Sequence, residues 1–220
     1  MNLQEYIPAA SWLSKQDIMI QPMIHLNQVP TPEQLAFLEE THSGIITEQA
    51  DIAIACSKLD SRSVFLSASA DGELSLAHGT CRYLAENQEE IKQLDALVAP
   101  LLQPGYLEDI ALRISHCART DSFSKQNIPE FSRLIRRSEN LAVRGLFLSF
   151  DPNLDLSTQA REAFSLVKKI RSDMPCMLHA FCFEGLLAPL YHEQTGELHK
   201  TLQMLSSLND TSLYASFFLT

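Results

Sequence analysis

Eight short apolar runs, separated by longer stretches of helical periodicity, constrain this chain more than any other feature of its sequence. They are "IMIQPMIHL" (Ile18 to Leu26), "GIIT" (Gly44 to Thr47), "VFLSA" (Val64 to Ala68), "CRYLA" (Cys81 to Ala85), "IALRIS" (Ile110 to Ser115), "VRGLFLSF" (Val143 to Phe150), "PCMLHAFCF" (Pro175 to Phe183) and "LYASFFL" (Leu213 to Leu219). Short apolar runs alternating with helical periodicity are the pattern of βα units and a parallel sheet. Eight strands are enough to close such a sheet on itself. The chain has 220 residues, which suits one α/β barrel without a second core. The expected fold is therefore a single (β/α)8 TIM-type barrel over residues 1–220, with residues 1–17 as a helical lead-in.

Helix starts are marked between the runs. Thr31 with Pro32 precedes "EQLAFLEE", Asn87 precedes "QEEIKQLDALVAPLL", Asn127 with Pro129 precedes "EFSRLIRRS", and Ser157 precedes "TQAREAFSLVKKI". Short polar side chains cap orphan N–H groups, and proline is tolerated in a first helical turn. Right-handed crossovers would put these helices outside the sheet, so that the C-terminal ends of the strands converge on one mouth. His25, polar at the end of an apolar run, would stand at that mouth.

Charge and composition narrow the partners. The net charge of -10 repels phosphate backbones and anionic lipid surfaces, and "RLIRR" (Arg133 to Arg137) is too short to offset it. Neither nucleic acid nor a membrane is an expected partner. The five cysteines, Cys56, Cys81, Cys117, Cys176 and Cys182, are odd in number and lack C-x-x-C spacing, which fits packing in a reducing cytoplasm rather than a disulfide framework. The start "MNLQEYIPAASWL" has no basic segment followed by an apolar core, and no run reaches the roughly 20 residues of a membrane span. Only seven glycines occur, and no Gly-rich loop is present to bring backbone N–H groups onto a phosphate.

The segment "HGTCRYLAENQEEIKQL" (His78 to Leu94) resembles the middle of the pyridoxal-phosphate barrel of the ornithine and diaminopimelate decarboxylase group, related to the alanine racemase barrel. There a strand of the form gly-val-x-x-tyr precedes an acidic pair that opens a helix. "IALRIS" resembles that family's Leu-Arg-Ile-Asn strand, "NLAVRGLFLSFD" its Gly-Leu-x-x-His-Val-Gly strand, and "GIITEQADIAIACSKLDSRSVFLSAS" its earlier strand, helix and strand. The resemblance runs from Ile18 to about Leu186.

The resemblance implies a site most of whose residues are replaced here. Where the family has Lys-Ala-Asn, whose lysine forms the Schiff base, this chain has His25, Leu26 and Asn27, and an imidazole cannot form that bond. The family's ring-stacking histidine corresponds to Ser149. Its Gly-Gly-Gly phosphate loop corresponds to "FCFEGL", which keeps Gly185, and its Glu-Pro-Gly-Arg segment corresponds to "SFFLT". Arg113 is retained. The family's decarboxylases add a C-terminal β-domain that completes the site across a dimer, whereas this chain has the length of a barrel, closer to the small pyridoxal-phosphate homeostasis proteins.

The expected function is that of a degenerate relative without pyridoxal-phosphate chemistry, a binding or regulatory protein for a small polar or anionic ligand, as a monomer or homodimer. Its site would use His25, Arg113, Ser149, Glu48 and Glu86. One alternative is an enzyme with His25 as general base and Arg113 holding an anion. Another is a decarboxylase or racemase half completed by a partner chain. A mid-strand guanidinium needs an acid or an anion beside it, and Glu48 or Glu86 from neighbouring strands is the expected acid. His116 and Cys117 could be drawn as a Cys/His nucleophile with His25 as partner, and His25, His116, Asp151 and Glu184 as a metal site, but neither has supporting spacing. Asp151 reads more simply as a turn start. His42, His78, His192 and His199 are expected in exposed helices or loops.

Overall fold

The computed structural model describes residues 3–16, 18, 20–60, 63–69, 74–114, 133, 137–151, 154–173, 178, 180–187, 195–208 and 212–216. Its eight strands are β1 (Ile20–His25), β2 (Gly44–Thr47), β3 (Val64–Ser67), β4 (Arg82–Ala85), β5 (Glu108–Ile114), β6 (Leu141–Ser149), β7 (Ala180–Glu184) and β8 (Ser212–Ser216). They pair in parallel and in chain order, and β8 returns to β1, so the barrel is closed. Each expected run overlaps one strand, with β5, β6 and β8 starting one or two residues before their runs. The seventh strand begins only at Ala180, and residues 175–177 and 179 of its run fall outside the described set.

The helices are α1 (Leu3–Ser14), α2 (Pro32–Glu40), α3 (Ala50–Ala55), α4 (Gln88–Val98), α5 (Leu156–Asp173) and α6 (Thr195–Ser206), with a 3-10 turn at Leu74–Ala77 in the β3–β4 connection. Two of the expected caps hold. Thr31 forms a capping box with Gln34, and the Asn87 side chain accepts from the Glu90 N–H. The Ser157 cap is corrected: α5 starts one residue before Ser157, and Asp155 accepts from the Thr158 N–H at 2.7 Å. A carboxylate ahead of the first turn suits the positive end of the helix dipole better than a hydroxyl inside it. In the stretch expected to form a helix after Asn127 and Pro129, Arg133 and Arg137 are described and helical, whereas Asn127 and Pro129 lie outside the described residues.

Period-two alternation divides the strands between two apolar layers. Ile24, Ile45, Leu66, Tyr83, Leu112, Leu146 and Phe181 face outward into the core under the helices. Met23, Ile46, Phe65, Leu84, Ala111, Phe147, Ala180, Cys182 and Tyr214 form a separate buried cluster inside the barrel. Its aromatic rings meet edge-on, Phe65 against Phe147 at 4.8 Å and against Tyr214 at 6.4 Å. Small residues make room for them, since a Cβ on Gly44 would lie 2.5 Å from the end of Met23 and 2.9 Å from the Tyr214 ring.

The lead-in helix belongs to the barrel wall. Tyr6 of α1 is hydrogen-bonded to Ser43 at 3.2 Å and edge-on to Phe37 of α2, while Gln16 just beyond α1 bonds His199 of α6 at 2.9 Å. α1 thus bridges α6 and α2 outside β1. His199 is partly buried by this contact rather than exposed. His78 also departs from expectation: it is half-buried, with Nδ1 3.3 Å from a Glu108 carboxylate oxygen. His42 is exposed, and His192 lies outside the described residues. Cys56, Cys81 and Cys182 are buried free thiols, whereas Cys117 and Cys176 are outside the described set. No helix among the described residues is long and apolar enough to cross a membrane.

Candidate functional site

Two residues beyond each strand's place in the inner belt, alternation returns the chain to the inner face at the C-terminal mouth. These positions are His25, Glu48, Ser67, Glu86, Arg113, Ser149, Glu184 and Ser216, one from every strand or its first following residue. All are polar, above a belt that is almost wholly apolar. Contacts carry this arrangement for the half of the ring from β4 to β7.

Arg113 on β5 reaches across β6 to Glu184 on β7, donating from Nε at 3.1 Å and from a terminal nitrogen at 2.9 Å to the same carboxylate oxygen. Its other terminal nitrogen donates to Glu86, just past β4. The second Glu184 oxygen accepts from the Ser149 hydroxyl at 3.0 Å, and Ser149 is the register partner of Glu184. One guanidinium, two carboxylates and the Ser149 hydroxyl therefore join four consecutive strands. Burial opposes the Arg113 charge, but Glu184 and then Glu86 outweigh it and raise the pKa above the usual arginine value.

Local sequence sets these groups in place. The Glu86 N–H donates to the Glu90 carboxylate at 2.6 Å, and Glu90 also accepts from the Asn87 side chain, so the α4 cap fixes the chain that carries Glu86. Burial raises the Glu90 pKa above the usual carboxyl range. After Glu184 the chain turns through Gly185 at φ 82°, a conformation that costs glycine no Cβ clash.

His25 lies two residues beyond the inner Met23 and is half-buried. Burial, and next the positive charge of Arg113, lower its pKa to about 4. At neutral pH the ring is uncharged. On the remaining strands, Ser67 is buried and bonded to Ser69 at 2.8 Å, and Ser216 is buried and bonded to the Cys182 thiol.

The sequence reading paired Arg113 with Glu48 or Glu86. Glu86 is a partner, but Glu48 is exposed past the end of β2 and takes no part in the ion pairs. The stronger partner, Glu184, had been considered only as a metal ligand. Among the described residues no group of three His, Cys, Asp or Glu side chains is arranged to hold a metal ion. His116 and Cys117 lie outside those residues. Asp151 is a loop residue, its main chain clamped at both ends by the Gln159 amide. Ser67 and Ser216 were missed, although counting two residues on from Phe65 and Tyr214 reaches both.

Several solved structures share this barrel. Diaminopimelate decarboxylase from Helicobacter pylori, complexed with L-lysine, matches at 13% identity and a TM-score of 0.68 over 90% of this chain and 57% of its own. Lysine decarboxylase from Selenomonas ruminantium matches at 14% and 0.69 over 96% and 58%. Arginine decarboxylase from Paramecium bursaria Chlorella virus, bound to agmatine, matches at 9% and 0.65 over 90% and 57%. The chain thus spans less than two thirds of the length of these proteins, and at such identities the likeness establishes the barrel fold. No family model and no curated protein sequence matches the chain.

Proposed function

We propose that the protein binds a small polar ligand at the C-terminal mouth of its barrel and works as a binding or regulatory protein without Schiff-base chemistry. The observation that carries this reading is the polar ring. Packing alone would favour an apolar or sealed layer above the inner belt, whereas convergent polar groups at the C-terminal end of a barrel are the makings of a ligand site. In the ring, Glu86 and Glu184 stand against the one guanidinium of Arg113. That balance favours a ligand bearing an amino group over an anion, because the Arg113 charge is already met by two carboxylates. L-Lysine and agmatine, held by the similar structures, are the first ligands to try.

Pyridoxal phosphate, which the family resemblance implies, does not suit the residues present. Among the described residues the lysines are Lys15, Lys58, Lys92, Lys168, Lys169 and Lys200, and none lies on a strand. The catalytic alternative, with His25 as general base, is weakened by its pKa of about 4, far from the operating pH that makes a base efficient. We place the protein in the cytoplasm, on cysteine usage, and treat residues 1–220 as one domain.

Calorimetric titration with L-lysine and with agmatine tests the proposal. Saturable binding to the wild type, weakened by Glu184→Gln, supports it. Binding indifferent to Glu184→Gln and Ser149→Ala removes the mouth from consideration, and release of carbon dioxide from L-lysine would establish an enzyme.

A further inference from the structure

We infer that the mouth excludes phosphorylated ligands because its anion-binding groups among the described residues are already engaged, so that restoring an amine at position 25 would not restore a site for a phosphorylated aldehyde such as pyridoxal phosphate. This goes beyond the missing lysine, and it stands whether or not L-lysine or agmatine binds.

A phosphate in a barrel is held by three kinds of group: arginine or lysine side chains, backbone N–H groups of a turn, and the N-termini of helices. Arg113, the guanidinium of the ring, directs Nε and both terminal nitrogens at Glu184 and Glu86. A phosphate that took those donors would leave a buried carboxylate unpaired beside a dianion.

Among the described residues, main-chain donors around the mouth are engaged too. Beyond β7, Leu186 N–H donates to the Phe183 carbonyl and Leu187 N–H to the Ser216 carbonyl. Beyond β6, Phe150 N–H donates to the Glu184 carbonyl and Asp151 N–H to the Gln159 side chain. Glu86 N–H is held by Glu90, Ala68 N–H by the Leu84 carbonyl, and Leu26 N–H by the Ile46 carbonyl.

Three of the helix N-termini that open toward the mouth are capped from within the chain, and that of the six-residue α3, which has no side-chain cap at Gln49, carries Asp51 in its first turn. Thr31 with Gln34 closes α2, Asn87 with Glu90 closes α4, and Asp155 closes α5. Two of these caps bring carboxylates, so the positive end of the helix dipole is met before any ligand arrives.

The test has two arms. In the first, wild-type protein is titrated with pyridoxamine 5′-phosphate, which carries the phosphate and ring but needs no lysine. The expected result is no binding that depends on Arg113. Saturable binding abolished by Arg113→Met overturns the inference, whereas binding unchanged by that substitution lies outside the mouth and agrees with it. In the second arm, His25→Lys is mixed with either pyridoxal phosphate or unphosphorylated pyridoxal. The amine and aldehyde condense with loss of water, borohydride reduces the imine to a stable amine, and peptide mapping reads the yield at position 25. Pyridoxal phosphate is expected to label no better than pyridoxal. In the His25→Lys, Glu86→Gln, Glu184→Gln protein, which frees Arg113, the phosphorylated compound should gain by about tenfold, equivalent to ~1.4 kcal/mol. One equivalent of pyridoxal phosphate taken up at position 25 in preference to pyridoxal, with both glutamates present, overturns the inference. If the substituted proteins do not fold, the wild-type arm decides by NMR: a shift of the Arg113 Nε resonance on saturation with pyridoxamine 5′-phosphate overturns the inference, and an unmoved resonance supports it.

Discussion

Replacing Arg113 with leucine should destabilise the barrel by an amount set by which carboxylate it strands. The Arg113 and Glu184 side chains keep 11% and 4% of their exposure, whereas Glu86 keeps 26%. Without the guanidinium, Glu184 retains only the Ser149 hydroxyl among the side-chain partners seen here. Stranding one member of a buried ion pair costs about 3–5 kcal/mol. Glu86 adds little, because water reaches it and partly exposed pairs contribute about 1 kcal/mol or less. A chain of this size loses roughly 2–4 °C in Tm per kcal/mol, so the fall should be roughly 6–20 °C. Arg113→Leu with Glu184→Leu should recover most of this loss, since exchanging a whole buried pair for apolar side chains is often neutral. Urea unfolding of the two variants beside the wild type measures both quantities. A single variant within about 1 kcal/mol of wild type, or a double variant less stable than the single, would refute the view that the tie is a buried, structurally committed pair.

Other perturbations follow from the same structure. The depressed pKa of His25, about 4 against an ordinary 6.5, means that the unfolded chain takes up a proton there before the folded one does. Its contribution to stability is therefore complete above pH 6.5 and is lost as pH falls toward 4, by up to ~3 kcal/mol before screening at its exposed side. Wild type should lose more stability than His25→Gln over that interval; parallel pH profiles would contradict the assignment. Gly44→Ala should cost about 1–3 kcal/mol, because its Cβ would overlap Met23 and the Tyr214 ring, and an unchanged melting curve would show that Tyr214 can move aside. Asp155→Ala should cost about 0.5–2 kcal/mol through loss of the α5 cap, whereas Ser157→Ala, which removes a bond to Glu197 on the exposed surface, should cost less. Equal losses would return the cap to Ser157.

The strands were legible in the sequence because period two and β-branched or aromatic runs are local signals, and each apolar run became one strand of the barrel. The caps at Thr31 and Asn87 were legible for the same reason, since each needs only three or four neighbouring residues. Ser157 misled because a serine ahead of a helical stretch resembles a cap, while Asp155, two residues earlier, makes a charge-assisted bond to the same turn. The partner of Arg113 was harder to see. Glu86 lies on the adjacent strand connection, but Glu184 is 71 residues away along the chain, and only closure of the barrel and its stagger bring β5 and β7 side chains together over β6. Ser67 and Ser216 look like ordinary strand-end serines until the inner belt fixes which face is inside. The helical contacts of His199 depend on α1 lying beside α6, which no local pattern reveals.

The most direct test of a working site at the mouth is an amide NMR titration of the wild-type protein with agmatine, read residue by residue. A site built from the polar ring predicts saturable shifts gathered at Leu26, Ala68, Glu86, Phe150 and Gly185, which border the C-terminal ends of different strands, with the Arg113 side-chain Nε resonance moving alongside them. Shifts gathered on the helical wall or at the opposite end of the barrel, or no saturable shift at millimolar agmatine, would contradict it.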